Sequence, residues 1–259
     1  DVLVVNTCSF VEEAREESVD TILDLAHIKS ESSHDQRLVV AGCLPQRYEK
    51  ELRKELPEVD VFLGTGDVGK IGDLIAPTSS ILPMAPRPKI GRPGYNYDAY
   101  SARVMTTPDW TAYVKISEGC SQVCAFCIIP RLRGGQKSRV QADIVTEVRK
   151  LAAKGVREIN LIAQDLTHYG DDTKTGESLT SLLRELVTID GVHWIRLLYC
   201  YPHAFTDDLI ELIATEPKIA SYVDMPLQHI ADPMLERMRR RFSEDETRTL
   251  CAKLRDRVP

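Results

Sequence analysis

The hydrophobic pattern opens on a short apolar run, Val2 to Asn6, that reads as a strand and ends in the turn Thr7-Cys8-Ser9. Apolar positions then recur at helical spacing from Val11 to Ala26, through Ala14, Val19, Ile22 and Leu23. Ser9 is the expected cap of that helix, with Glu12 three residues on as its reciprocal partner. A second strand follows at Leu38 to Ala41, then Gly42-Cys43-Leu44-Pro45, with Pro45 suited to the first turn of a helix running to about Leu56. Val59 to Gly64 predicts a third strand and Asp67 to Ile75 a short helix. Strands alternating with helices predict an open parallel sheet.

Proline then breaks the pattern, at Pro77, Pro83, Pro86, Pro88, Pro93 and Pro108, and residues 78–108 read as an interdomain linker with a short strand pair in its middle. Beyond it the alternation resumes. Strands are expected at Thr111 to Ser117, Glu158 to Ala163, Trp194 to Leu198 and Ser221 to Met225. Helices are expected at Gln141 to Ala153, Ser178 to Val187, Asp207 to Ala214, Pro233 to Arg240 and Glu244 to about Arg257, with Thr206 and Ser243 as caps. Repeated βα units of this kind suggest a full or partial barrel. The expected domains are therefore residues 1–77, whose start is missing, and residues 109–259, whose end is missing.

Composition changes this picture little. The 259 residues suffice for two domains, and 43% hydrophobic content suits packed cores rather than disorder. No run of about 18 apolar residues occurs, so no membrane span is expected. No signal peptide is read in the given residues, whose true start is expected to lie upstream: the chain starts on Asp1, directly ahead of an apolar run, and stops on Pro259 at what reads as a helix end. It reads as a fragment cut at both ends. A net charge of −6 argues against a nucleic-acid binder as a whole. The basic groups Arg131, Arg133, Lys137, Arg139 and Arg237, Arg239, Arg240, Arg241 read as solvated faces. Seven cysteines without paired spacing fit a reducing, cytoplasmic setting.

The chemistry concentrates in Glu118-Gly119-Cys120-Ser121-Gln122-Val123-Cys124-Ala125-Phe126-Cys127, where three thiols fall within eight residues as C-x3-C-x2-C. Thiolates are the preferred ligands of iron–sulfur clusters, and three of them on one loop can hold three corners of a four-iron cube. The fourth iron then stays open to a small molecule. Zinc, a disulfide or chance spacing are the rival readings. Zinc wants a fourth ligand nearby, and none follows in the loop; a disulfide would leave one thiol over. Cys8 and Cys43 each directly follow a strand, where the loops of an open parallel sheet line its ligand crevice, so these two thiols can converge. Each alone would read as a buried small residue.

Polar and aromatic residues gather at the other strand ends of the second segment: Gln164 and Asp165 with His168-Tyr169-Gly170, then Tyr199-Cys200-Tyr201-Pro202-His203, then Pro226-Leu227-Gln228-His229. In a barrel these ends form the active face. Plainer alternatives stand beside each one. Asp165 can bond a turn, His203 and His229 can be loop histidines, Tyr199 and Tyr201 can be wall residues, and Cys200 and Cys251 can be core.

The fuller motif Glu118-Gly119-Cys120-x-x-x-Cys124-x-Phe126-Cys127-Ile128-Ile129-Pro130-x-x-Arg133-Gly134, together with Asn6-Thr7-Cys8 and Gly42-Cys43, resembles the radical S-adenosylmethionine (SAM) methylthiotransferases across nearly the whole chain except the linker. One branch of that family modifies an adenosine in transfer RNA. The other modifies an aspartate of ribosomal protein S-twelve. Asn6-Thr7-Cys8-Ser9-Phe10-Val11-Glu12, Ala163-Gln164-Asp165 and Leu198-Tyr199-x-Tyr201-Pro202 resemble the protein-modifying branch. The resemblance implies an amino-terminal methylthiotransferase domain followed by a partial TIM-like radical SAM barrel. It implies two 4Fe–4S clusters and SAM as cofactors. One cluster would sit on Cys120, Cys124 and Cys127, and the second on Cys8, Cys43 and a third cysteine upstream of Asp1. It places Gln164 and Asp165 at the SAM amino group and the Phe126 backbone at the adenine. It also implies an electron donor such as flavodoxin or ferredoxin. A non-catalytic iron–sulfur carrier is the reading from another class.

Overall fold

The computed structural model describes residues 1–75 and 89–258. Two compact units emerge, residues 1–95 with 128–134, and residues 96–127 with 135–259.

In the first unit, β1 (Val2–Thr7), β2 (Arg37–Gly42) and β3 (Val61–Leu63) form a parallel sheet in the order β1-β2-β3. Leu38, Val39, Val40 and Ala41 of the central strand are all buried, as expected where both faces of a parallel strand are covered. The helices are α1 (Glu12–Glu31), α2 (Cys43–Glu55), α3 (Ile71–Ile75) and α4 (Ile129–Arg133). Ile22, Leu44, Leu52 and Phe62 pack with Leu38 and Val40 on one face of the sheet. Val39, Ala41 and Leu63 form a separate cluster. Fully burying a side chain of this size contributes about 1.5–3 kcal/mol.

Two expectations need correcting here. Ser9 does not cap α1: Val11 takes the N-cap position without a side-chain bond. The buried Ser9 hydroxyl donates instead to the Cys43 carbonyl at 3.1 Å, so it serves the neighbouring strand end rather than its own helix. The linker shows no strand among its described residues, 89–108. Gly91 there accepts from Gln46 Nε2 at 3.3 Å and donates to Asp67 at 2.8 Å, which ties the segment to the first unit. Pro77, Pro83, Pro86 and Pro88 lie outside the described residues. The helix α4 was not anticipated; the Thr65 hydroxyl donates to its Leu132 carbonyl at 2.6 Å.

The second unit is built on β4 (Thr111–Lys115), a short antiparallel pair β5 (Ser117–Glu118) and β6 (Lys137–Ser138), then β7 (Glu158–Ile162), β8 (Trp194–Leu198) and β9 (Ile219–Val223). Four strands make one parallel sheet in the order β4-β7-β8-β9. β4 and β9 are each paired on one side only, so the sheet is open among the described residues. The helices are α5 (Gln141–Ala153), α6 (Leu179–Leu186), α7 (Asp207–Thr215), α8 (Asp232–Arg237) and α9 (Glu244–Arg257). Alternation along the strands sorts the two faces. Ala112, Val114, Ile159, Leu161, Ile195 and Leu197 are fully buried against helix residues such as Ile144, Val148 and Leu182. Tyr113, Asn160 and Arg196 occupy the intervening positions; Asn160 donates to Thr111 Oγ1 at 2.8 Å, and Arg196 pairs with Glu158.

Thr206 and Ser243 cap their helices as the sequence predicts, and Ser178 caps α6. The first strand differs from expectation. It stops at Lys115, because Ser117 and Glu118 pair with Ser138 and Lys137 instead of β7. That pair brings the two ends of the cysteine-bearing excursion together. Residues 96–103 also pack on α5: Ala99 accepts from Lys150 Nζ at 2.9 Å and donates to Asp143 at 2.9 Å.

Candidate functional site

The cysteine loop begins where β5 ends. Gly119, at φ +79°, turns the chain there, and its amide donates to Gln164 Oε1 at 2.9 Å. Gln164 and Asp165 lie two and three residues past the end of β7, so the loop is anchored to the next strand end. Cys120 is buried, and Cys124 and Cys127 are partly exposed. None of the cysteines forms a disulfide among the described residues. Burial pushes the Cys120 thiol up to about 11, with smaller contributions from Asp165, Cys127 and Cys124. Tyr199, half exposed, is raised chiefly by burial and next by the charge of Cys127.

Asp165 is the hub beneath the loop. It is 2% exposed and accepts from Gln122 Nε2 at 3.0 Å, His168 Nδ1 at 2.8 Å and Thr167 Oγ1 at 3.1 Å. Gln122 lies between Cys120 and Cys124, so the carboxylate ties the loop to the end of β7. The hydrogen bond that His168 donates to Asp165 is the main reason its imidazole holds its proton more tightly than usual, against a burial effect of opposite sign. His168 meets the Tyr201 ring edge to face at 5.7 Å.

Sequence reasoning missed two arginines. Arg139 is buried, held by Asp143 and Glu147 at 2.6 Å each and by the Lys115 carbonyl. Arg240 turns inward to Cys124 Sγ at 3.5 Å and to the Pro226 carbonyl at 3.0 Å. Neither belongs to a solvated basic face. In each group the neighbours do stay out, Arg131 and Lys137 in one and Arg237, Arg239 and Arg241 in the other. The pairing of acidic residues at 143 and 147 with Arg139, at helical spacing, was the available signal for the first; none pointed to the second.

The remaining strand-end residues take plainer places. Phe126 is half exposed. His203 is exposed, and His229 Nδ1 accepts from the Ala231 amide at 3.0 Å, a turn contact. Cys200 is fully buried and its thiol is pushed up to about 12 by burial. Cys251 is partly exposed.

In the first unit, Cys8 and Cys43 follow the ends of paired strands, since Thr7 lies opposite Gly42 in register. The Thr7 hydroxyl donates to the Ala41 carbonyl at 2.7 Å and accepts from the Leu44 amide at 3.2 Å, clamping the two ends. Gly42, at φ +108°, permits the approach: a Cβ there would stand 2.6 Å from the Thr7 carbonyl. Cys8 is exposed and Cys43 buried, with Arg133 Nη2 of α4 3.7 Å from Cys43 Sγ.

A family model described as the radical SAM superfamily matches residues 114–259, more than half of the chain. The chain belongs to the radical SAM superfamily. Membership brings SAM and a 4Fe–4S cluster as cofactors. A second model, described as uncharacterized protein family UPF0004, matches residues 1–64. Among curated proteins, the ribosomal protein uS12 methylthiotransferase RimO of Geotalea uraniireducens (strain Rf4) is 52% identical over 262 residues, covering all of this chain and 57% of that protein. RimO of Myxococcus xanthus (strain DK1622) is 53% identical over 258 residues, covering all of this chain and 53% of that protein. The chain thus spans a little over half the length of the curated relatives it matches. Among solved structures, the radical SAM methyltransferase TsrM from Kitasatospora setae aligns with a TM-score of 0.69 at 15% identity, over 99% of this chain and 54% of that one. The cobalamin-dependent SAM radical enzyme OxsB aligns at 0.66 with 10% identity, over 98% of this chain and 39% of that one. At such identities the likeness is one of fold.

For a radical SAM chain the donor set is apt: soft thiols on one loop, without histidine, suit iron–sulfur. No three His, Cys, Asp or Glu side chains among the described residues close on one point as a single metal ion requires. A cube makes no such demand, because each thiolate meets a different iron. No helix among the described residues is long and apolar enough to cross a membrane.

Proposed function

We propose that the protein is a radical SAM methylthiotransferase that adds a methylthio group to the β-carbon of an aspartate of ribosomal protein S-twelve. The observation that carries this reading is the anchored cysteine loop, Gly119 bonded to Gln164 and Gln122 to Asp165, in a chain 52% identical to a protein named for that activity. Residues 1–77 would serve as the methylthiotransferase domain and 109–259 as the radical SAM domain. Cys120, Cys124 and Cys127 would hold one 4Fe–4S cluster, and Cys8 and Cys43 would contribute to a second. Together with SAM, the first centre supplies an oxidising power sufficient to take hydrogen from an unactivated carbon, which no side-chain base can do at neutral pH.

The chain's own residues do the positioning. Glu118 and Lys137 fix the base of the loop through the β5–β6 pair. Gln122 and Asp165 hold its middle. The Gln164 amide and the Asp165 carboxylate are the groups assigned to the SAM amino end, and the Phe126 backbone to the adenine. Asp165 already has three partners, so its part is to hold charge and shape there rather than to move. Cys8 and Cys43, at strand ends clamped by Thr7, would present the sulfur to be transferred. A flavodoxin or ferredoxin would deliver electrons, and a ribosomal substrate fits a cytoplasmic location.

The test is a pair of variants in the intact protein, reconstituted anaerobically with SAM and dithionite. Cys124→Ala should abolish formation of 5′-deoxyadenosine, whereas Cys8→Ala should retain it and stop sulfur insertion. Mass analysis of S-twelve from cells lacking the gene should show the methylthio mass gone. Loss of a methylthio group from transfer RNA instead would move the substrate to the other branch. A cluster spectrum indifferent to SAM would leave only a carrier.

A further inference from the structure

We propose that Arg240 is a positioning residue for the cysteine loop: its guanidinium is fixed beside the Cys124 sulfur, where it raises the reduction potential of the centre held there. The inference rests on the assignment of that centre to Cys120, Cys124 and Cys127.

Four contacts hold the guanidinium. Nη1 is 3.5 Å from Cys124 Sγ, and Nη2 donates to the Pro226 carbonyl at 3.0 Å. The group lies 4.3 Å from the Tyr201 ring centroid and 4.9 Å from that of Phe242. The two rings meet edge to face at 5.8 Å, and both are buried. These partners are a sulfur, a carbonyl and two ring faces; none is a carboxylate. Arg240 Nε is buried without a partner, so the side chain tolerates an unsatisfied donor to keep this pose. The backbone repeats the clasp. Ala125 N, next to Cys124, donates to the Met238 carbonyl at 3.0 Å, and Arg241 N donates to the Tyr201 hydroxyl at 3.4 Å. Arg239 takes a left-handed turn, φ +53°, immediately before Arg240.

The physical consequence is directional. Reduction adds one electron to the centre, and a fixed cation bearing an N–H toward a ligand sulfur favours the more negative state. Charge and hydrogen bonds to the sulfurs are among the levers that set such potentials. The two buried rings cover part of the guanidinium and so reduce the screening of its charge by water. A lysine could carry the charge but not the planar stacking or the two-armed contact.

The experiment uses the intact protein carrying Cys8→Ala and Cys43→Ala, reconstituted anaerobically so that only the loop's centre reports. Its midpoint is followed by electron paramagnetic resonance during a dithionite titration, with iron per chain measured alongside. Arg240→Met should lower the ratio of reduced to oxidised centre about tenfold at fixed poise, which is 59 mV for one electron. Arg240→Lys should recover part of that shift, and Tyr201→Leu, which removes the stacking platform, should shift in the same direction as Arg240→Met. An Arg240→Met protein with parental iron and an unmoved midpoint overturns the inference. Should Arg240→Met fail to load iron, an unmoved midpoint in Tyr201→Leu overturns it equally. A parent that takes up no iron through the three thiols defeats the underlying assignment instead.

Discussion

Replacing Gln122 by alanine takes one tether from the middle of the cysteine loop and leaves every thiol in place. Its Nε2 donates to Asp165 Oδ2 at 3.0 Å and stands within 3.4 Å of both ring nitrogens of His168. Asp165 keeps His168 Nδ1 at 2.8 Å and Thr167 Oγ1 at 3.1 Å, so the buried carboxylate is not orphaned. What is lost is one hydrogen bond to a charged acceptor, about 1.5–3 kcal/mol. That bond holds the segment between Cys120 and Cys124 in one shape before any cluster binds. Without it the loop must be ordered as the cluster binds, and the cost falls on affinity. At about 1.4 kcal/mol per factor of ten, retention should weaken between about tenfold and about a hundredfold. The assay is chelator competition under anaerobic conditions, read by the visible absorption of the cluster, with wild type and Gln122→Ala side by side. The thermal midpoint of the metal-free proteins is read alongside and should fall by several degrees, since the same bond stabilises the loop without a cluster. Equal rates of iron loss in the two proteins would refute the idea that this tether pre-shapes the loop.

Three further outcomes follow from the same contacts. Thr7→Val keeps the volume but takes the acceptor from the buried Leu44 amide and the hydroxyl donor from the Ala41 carbonyl; at about 1–3 kcal/mol for the amide left unsatisfied, the loss is read as a lower urea midpoint. Gly42→Ala forces a Cβ to 2.6 Å from the Thr7 carbonyl at φ +108°, and should cost about 3 kcal/mol or more; on the proposal that Cys8 and Cys43 hold a second cluster, it should also reduce the iron retained in a Cys124→Ala background. The third concerns pH. Asp165 raises the folded-state pKa of His168, so the pair's contribution is fully present below the ordinary histidine value of about 6.5 and is lost as pH rises through the raised value. The difference in melting temperature between wild type and His168→Gln should therefore be largest in mild acid and shrink as pH rises; a difference that grows with pH contradicts the assignment.

The alternation of strands and helices was legible because apolar runs and helical spacing are properties of neighbouring residues. Caps at Thr206 and Ser243 were legible for the same reason: a side chain bonds an amide three residues on. Ser9 has the same local signature and fails, because Cys43, 34 positions away, offers its carbonyl to the same hydroxyl. The strand-end positions of Gln164, Asp165 and the three loop cysteines could be read from the pattern. Their partners could not. Asp165 meets Gln122, 43 positions away, only because β4 and β7 pair in one particular register. The direction of an arginine is harder still. Arg240 and its neighbours look alike along the chain, and only the ring faces of Tyr201 and Phe242 distinguish the one that turns in.

Backbone strain points to the same end of the sheet. Among the described residues three that are not glycine have positive φ: Tyr199, Gln228 and Arg239, at +71°, +70° and +53°. Such residues cost of order 1–3 kcal/mol each and persist only where surrounding contacts over-determine them. Tyr199 shows how. Its amide donates to Asp224 Oδ2 at 2.9 Å, its carbonyl accepts from Leu166 N at 3.0 Å, and the Cys200 amide donates to the Asp224 carbonyl at 2.8 Å. Glycine would take the turn at Tyr199 without that cost, but it would bring no phenol. Tyr199 directly follows β8, and Arg239 sets up the approach of Arg240 to Cys124. The strain at Arg239 goes with turning the next side chain, Arg240, onto Cys124, and the strain at Tyr199 is held by the bonds that Asp224 and Leu166 make to its backbone.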